Sequence, residues 1–347
     1  MTQNTPPTGD NELLGTAVAM RKITRLERFL GPDNYRILQG LFKTPVSIAG
    51  FTLLTLFILV AIFAPVLAPP VTPNDPYKIP RDGFKSQPRE PGSEWTKNVP
   101  EIPFWYKAVT GNEEWVHLFG TAQGQYDIYY GVVWGTRTAF RAGFIVVLST
   151  LLIGIVVGSV SAYYGGITDN IIMRIVDVLL VLPGLMATLI LAAVLTPVIG
   201  KSTLPVMISL IAFGWLGYAR IIRGDILSVK QRDFVLAARV IGAKDSRILF
   251  RHIIPNAIVP TMVLASLDIG TVTLSFSALS FLGIGVEVGY ADWGQVLAFA
   301  RNWITSLNTY WYIIVYPGVT LVLFVLGWNL LGDALRDVLD PRMRGKV

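Results

Sequence analysis

Few residues in this chain have the types and spacing that could do chemistry, and what is missing narrows the field quickly. There is no cysteine, and the two histidines are His117 and His252. Disulfides, thiolate nucleophiles and Cys-based metal sites are therefore excluded. Both histidines lie outside the long apolar runs, which argues against a bis-His haem buried in a membrane. No His-Glu-x-x-His, Gly-x-Ser-x-Gly or paired-carboxylate arrangement is present. Gly200-Lys201-Ser202-Thr203 carries the last residues of a phosphate-binding loop, but Leu195 stands where that loop needs its first glycine. The segment also joins two apolar runs instead of linking a strand to a helix. Any nucleotide hydrolysis has to reside on another chain.

The remaining polar candidates sit within or beside apolar runs. Asp268 falls near the middle of one, where a carboxylate costs roughly 2.5–3.5 kcal/mol, so it should face a cavity or a partner helix. Two readings stay open: an interhelical hydrogen bond, or a translocation path to which Phe276 also belongs. Arg174 and Asp177 can pair with each other or with lipid headgroups. Glu287, Asp292, Trp293 and Arg301 lie between the last two runs and are candidates for an outer mouth that gates a path or meets a soluble partner. Plain solvation of these side chains is the alternative.

The elements that position these residues follow from composition. Hydrophobic residues make up 52% of the 347 and charged residues 15%, with a net charge of +6. One soluble core cannot hide that much apolar surface, so the chain is an integral membrane protein. Its basic residues cluster beside apolar spans, the positive-inside pattern and not a nucleic-acid stripe. The fold class is all-α and polytopic. Six spans are expected at Val46–Ala68, Ala142–Tyr164, Val178–Ile199 (softly broken by Pro183), Leu204–Tyr218, Ala257–Ser280 and Tyr310–Leu331. Gly154 and Gly158 form a Gly-x-x-x-Gly pair suited to close helix packing. Asn11–Leu30 can form a cationic amphipathic helix lying in the membrane interface. Residues 69–136 are rich in Pro, Trp and mixed charge, too long for a turn. Trp95, Trp105, Tyr106 and Trp115 there can serve as an interfacial belt, a docking face or the packing of a small lobe, the last being favoured. Six spans place the basic termini and the 220–256 loop on one side, the cytoplasmic one, and the insertion on the other.

That loop is the most informative stretch. Between Arg220 and Arg251 eight basic residues face only three acids, Asp225, Asp233 and Asp245. Phe234, Leu236 (or Ala237), Val240 and Ile241 recur at helical spacing, and Gly242 can stop that helix as a left-handed cap. Asp245 can cap a second short helix carrying Ile248, Leu249, His252 and Ile253, which Pro255 ends. Ala237, Ala238 and Gly242 bring small side chains together, a surface that lets another backbone approach.

Ala237, Ala238, Gly242, Ile254 and Pro255 stand at the positions of the Glu-Ala-Ala loop of ABC importer permeases, which this segment resembles; Leu236 takes the place of the Glu. The resemblance extends along the chain. Residues 38–67 resemble the first span of the C-type permease subunit of oligopeptide/dipeptide importers. Leu118, Gly120, Thr121, Asp127, Gly135, Arg137 and Gly143 match its entry to the second span, whereas Ala122, Gln125 and Tyr126 depart from it. Tyr163–Gly166, Leu279–Val286, Trp293–Gly294 and Asn329–Arg342 match further on. The resemblance, which leaves out residues 1–35 and 69–116, implies the type I importer fold; with the runs and charge bias above, the chain is expected to divide into a cytoplasmic tail (1–45), a first span (46–68), an extracytoplasmic insertion (69–136), a permease core (137–333) with a coupling loop at 224–256, and a cytoplasmic tail (334–347). It implies that Phe234, Leu236, Ala237, Ala238, Arg239, Gly242, Ala243 and Asp245 couple to an ATPase. It also implies a second permease subunit, two cytoplasmic ATPases that hold the ATP and Mg, and an extracytoplasmic solute-binding protein. This chain itself would need no cofactor and bind lipid but no nucleic acid. The implied cargo is a peptide, with an oligosaccharide or metal complex as the alternative. An ion-coupled secondary transporter is the rival mechanism, but it calls for internal repeats and several intramembrane carboxylates.

Overall fold

The computed structural model describes residues 44–339, and its regular structure there is helical apart from isolated β-bridges. The expected interfacial helix at 11–30 and the Arg-rich C-terminal tail lie outside the described residues. Helix α1 (Pro45–Leu67) starts at Thr44, whose side chain accepts from the Ser47 N–H, with Pro45 in the first turn. After α2 (Phe104–Thr110), helix α3 (Ile128–Tyr164) begins at Asp127, which caps Tyr130 N–H. Helices α4 (Gly166–Leu180) and α5 (Gly184–Ile199) meet at 87°. Then come α6 (Thr203–Val229), α7 (Asp233–Val240), α8 (Asp245–Ile248), a π turn (Leu249–Ile253) and α9 (Ile254–Phe281). Helices α10 (Trp293–Ala298), α11 (Leu307–Tyr310) and α12 (Tyr312–Leu339) complete the described chain. Five of these stretches are long and apolar enough to cross a membrane, or six if the bent α4–α5 pair is one span.

Span boundaries differ from the sequence expectation where caps and ion pairs intervene. The second span starts at Ile128 instead of Ala142, because Asp127 nucleates it. Its 37 residues reach about 55 Å, so its first turns rise beyond a ~30 Å hydrocarbon layer into the insertion. The fourth runs on past Tyr218 to Val229, carrying Arg220 and Arg223 on ion pairs to Asp177 and Asp169. The break at Pro183 is a hard bend, with Pro183 standing before α5 as its cap residue. Pro255 does not end a helix. It occupies the first turn of α9, and the widened π turn before it absorbs the missing N–H. Gly200–Thr203 is a helix-to-helix turn, with Gly200 closing α5 and Ser202 capping Leu204 N–H.

Helices α3 and α6 form the central pair. A Cβ on Gly154 would lie 2.3 Å from Tyr218 Cβ, and one on Gly158 would lie 2.5 Å from the Ala219 carbonyl oxygen. The two glycines therefore let the helix backbones touch, as expected of the pair. On the other flank α1, α9 and α12 enclose Phe57, Phe324 and Trp328, with Trp293 entering from α10. Many outward side chains of α1, α3 and α5 are large and apolar, as lipid-facing helices require.

The segment between α1 and α3 is a packed lobe. Trp95, Tyr106 and Trp115 are buried together against Trp105 and Tyr129. Trp105, Tyr106 and Trp115 pack edge to face with one another, Tyr106 and Trp115 4.8 Å apart. At its centre Asp82 accepts from Thr96 N (2.7 Å) and Lys97 N (2.5 Å) and pairs with Arg89. His117 lies fully buried, with Nδ1 2.7 Å from Asp127 and its ring 4.0 Å from that of Trp95. Tyr77 stacks on Tyr290, and Ile79 N–H and Ala291 N–H bond across to Gly289 and Tyr77 carbonyls. These contacts tie the lobe to the loop before α10.

Candidate functional site

Between α6 and α9 the chain makes a bracket at one end of the bundle. Helix α7 ends in a Schellman motif: Gly242, at φ +77°, donates to Arg239 O (2.9 Å), and Ala243 donates to Ala238 O (3.1 Å). This is the left-handed stop expected at Gly242. The inward face of α7 is Val235 and Ala238, both buried against Ile222, Ile226, Ile248 and Ile253. Phe234, Leu236, Ala237, Arg239, Val240 and Ile241 are exposed, Val240 at 87% and Ile241 at 83%. The apolar spacing noted in the sequence thus marks the outward face, while the inward face rests on Val235, which that spacing passed over. Ala238, expected on the contact surface with Ala237, is turned into this chain's own core. A helix with one small buried pair and one large apolar exposed face offers a surface for a protein or a membrane to cover.

The bracket is held to the bundle by polar contacts at the end of α3. Lys230 Nζ donates to Tyr163 O (2.5 Å) and Ala162 O (3.3 Å), satisfying terminal carbonyls of α3. Burial at this junction holds the Lys230 ammonium below the usual lysine range. Tyr163 Oη donates to Asp245 at the start of α8 (2.5 Å). Arg223 forks onto Asp169 (2.6 and 2.5 Å), which also accepts from Ser161 (2.5 Å). Asp177 pairs with Arg220 of α6, not with Arg174 on its own helix. The ends of α3, α4, α6 and α8 are thereby linked into one polar junction.

Within the spans, α6 and α9 carry two polar rungs. Tyr218 Oη donates to Asp268 at 2.5 Å, and Thr261 donates more weakly to Asp225 at 3.4 Å. The rungs are spaced seven residues apart on both helices, two turns of an antiparallel pair. Asp268 is half-buried, which fits the interhelical hydrogen bond. Phe276, expected with Asp268 on a translocation path, is 1% exposed in this chain and packs with Val146, Val206 and Leu279.

Of the outer residues, Glu287 and Arg301 are exposed, with Arg301 over the Phe281 ring. Asp292 and Trp293, expected at an accessible mouth, are buried instead. Asp292 caps α10 by accepting from Gln295 N–H (3.0 Å), and burial pushes its carboxyl above the ordinary range. Trp293 donates to Val132 O (3.0 Å). A Cβ on Gly294 would fall 2.0 Å from Ser277 O, so α10 lies directly on the α9 backbone.

Residues 151–345 match the family described as binding-protein-dependent transport system inner membrane component. Residues 35–88 match the N-terminal transmembrane domain of oligopeptide transport permease C. Among curated proteins the chain is 32% identical over 302 residues to a dipeptide transport system permease protein of Alkalihalophilus pseudofirmus, covering 87% of this chain and 88% of that one. It is 37% identical over 228 residues to an oligopeptide transport system permease protein of Bacillus subtilis, covering 66% and 72%. A glutathione transport system permease protein of Escherichia coli shares 36% over 242 residues, covering 70% and 78%. The family segments overlie α1 and the stretch from mid-α3 through α12, which includes the bracket and the polar junction. The chain belongs to the binding-protein-dependent transport system inner membrane components, as a C-type permease of the oligopeptide/dipeptide ABC importers.

Proposed function

We propose that this permease moves small peptides inward by alternating access, with the α7–α8 bracket as the mechanical contact to a cytoplasmic ATPase. In this family ATP is hydrolysed on separate chains, so the subunit is a transporter component and not an enzyme. The observation that carries the bracket's role is the orientation of α7: Val235 and Ala238 anchor it, leaving Phe234, Leu236, Ala237, Val240 and Ile241 for a partner. Lys230 and Tyr163 tie the bracket to α3, and the Tyr218–Asp268 rung joins α6 to α9. A push on α7 would therefore tilt both helices that leave the bracket. Peptide cargo is supported by relatives whose names specify dipeptide, oligopeptide and glutathione transport. The full assembly adds a second permease, forming a heterodimer, two ATPases and a solute-binding protein on the lobe's side. Both termini and the bracket would be cytoplasmic.

Val240 is almost fully exposed and contributes little to this chain's own packing, which makes it a clean probe. Val240→Asp should insert normally, yet lose most labelled-dipeptide uptake and copurify poorly with its ATPase. A charge forced into a desolvated contact without a partner commonly costs about 3–5 kcal/mol. Wild-type uptake and ATPase retention in that variant would remove the coupling assignment. Uptake of a sugar or metal complex, with no competition by peptides, would remove the cargo assignment alone.

A further inference from the structure

We propose that the groove between α1, α3 and α12 holds one phospholipid of the leaflet on the lobe's side, with its phosphate on the Arg137 guanidinium. The groove has a volume of about 700 Å³ and is walled by Phe51, Ile58, Ile62, Phe144 and Trp328. Arg137 is the charged residue that lines it.

The argument starts from Pro65. A helix carbonyl normally accepts from the N–H four residues on, but Pro65 has none, so the Ala61 carbonyl in α1 is left over. Arg137 Nε donates to it at 2.7 Å, and the guanidinium lies 5.1 Å from the Trp134 ring. One edge of the fork is thereby fixed. Its two terminal nitrogens have no acceptor among the described residues. The other arginines that face this bundle from α6, Arg220 and Arg223, each have a carboxylate. Arg137 instead presents a held, unpaired cation to an apolar groove, and a cation at membrane depth calls for an anion.

The order of polarity along the groove selects the anion. Ala61 lies six residues before the end of α1, about 9 Å below it. From there the groove continues past Ile58 to Phe51, a further ten residues or about 15 Å, lined by apolar side chains apart from the Thr55 hydroxyl. That length is one leaflet of a ~30 Å hydrocarbon core. A cationic fork at the interfacial end followed by a leaflet-deep apolar channel matches a diacyl phospholipid, headgroup first and acyl chain along α1. Phosphate suits the fork because its oxygens can accept two parallel N–H bonds. A carboxylate from a second permease would satisfy the charge but leave the channel to be filled by something else.

The test uses the intact transporter in membranes containing phosphatidylglycerol with a photoactivatable group near the acyl terminus. Crosslinks mapped by mass spectrometry should concentrate on Phe51–Ile62 of α1 and around Trp328. Arg137→Gln should lower that yield at least about tenfold, because the charge-assisted hydrogen bonds of the fork are lost, while Arg137→Lys, which keeps the charge but not the fork, should give an intermediate yield. Should Arg137→Gln fail to insert, Ile58→Trp fills the channel without touching the arginine and should also abolish the crosslinks. Unchanged yield in Arg137→Gln or Ile58→Trp would overturn the proposal. So would equal labelling of every lipid-facing helix, or crosslinking of this groove to a partner permease and not to lipid.

Discussion

At the scale of single residues, two buried carboxylates on the lobe side respond to pH in opposite directions. Asp82 is buried, which alone would raise its pKa, but the N–H groups of Lys97 and Thr96 together with Arg89 outweigh burial and hold it low. A depressed folded-state pKa adds stability above the unfolded value, about 3.9 for Asp, and that stability is lost as pH falls through the folded value. Asp82→Asn should therefore destabilise the lobe at neutral pH by about 3 kcal/mol, read as a lower Tm by tryptophan fluorescence. The gap from wild type should narrow below about pH 4. A Tm unchanged at pH 7 would show that the Asp82 clasp does not hold the lobe. Asp292 has the reverse sign, because burial raises its carboxyl and the cost of its charge is relieved as pH falls through the folded value. Asn caps a helix as well as Asp, so Asp292→Asn should leave Tm at pH 7 within the equivalent of about 1 kcal/mol, or raise it. If Asp292 met the solute-binding protein, the same variant would lose uptake at unchanged Tm.

At the scale of elements, the bracket depends on how α7 stops. Gly242 sits at φ +77°, and a Cβ there would meet nothing within 4 Å in this chain. The internal cost of a side chain is therefore conformational, about 1–2 kcal/mol for most residues and less for Asn. Gly242→Asn should keep uptake near wild type if only the backbone conformation matters. Gly242→Leu should insert but lose coupling, measured as ATP hydrolysed per labelled peptide imported, because Leu adds bulk on the face offered to the partner. Equal coupling in both variants would mean that no partner closes on this glycine.

At the scale of the whole molecule, the same geometry gives the chain two ends with different duties. The lobe, fastened by the Tyr77–Tyr290 stack to the loop before α10, caps one end. The bracket, fastened through Tyr163 and Lys230, caps the other. Asn112 is exposed on the lobe and Ser246 on the bracket, and the chain has no cysteine of its own. Asn112→Cys should react with a membrane-impermeant thiol reagent on intact cells, and Ser246→Cys should react only after permeabilisation. The opposite pattern would invert the topology and place the bracket out of an ATPase's reach.

Much of this architecture is written locally, and the reason is periodicity. Long uncharged runs spanning a membrane must close their backbone hydrogen bonds as helices or barrels, so the all-α membrane class follows from composition and run length. The glycine stop at Gly242 and the Gly154–Gly158 pair follow likewise from a few adjacent residues. What local pattern cannot decide is which neighbour a side chain meets. Arg174 lies three residues from Asp177, yet Arg220, forty-three positions away, takes that carboxylate because α6 lies beside α4. Helix α7 is apolar on more than one face, and only the placement of α6 and the π turn selects Val235 and Ala238 as the buried one. Asp292 and Trp293 read as an accessible polar and aromatic pair until α10 is laid on the α9 backbone at Gly294. The sequence by itself determined the helical membrane class and the rough positions of the spans, through hydrophobic runs and caps that act within a few residues. Only the tertiary structure decided their inward faces and ion-pair partners, because those depend on contacts between segments distant in the chain.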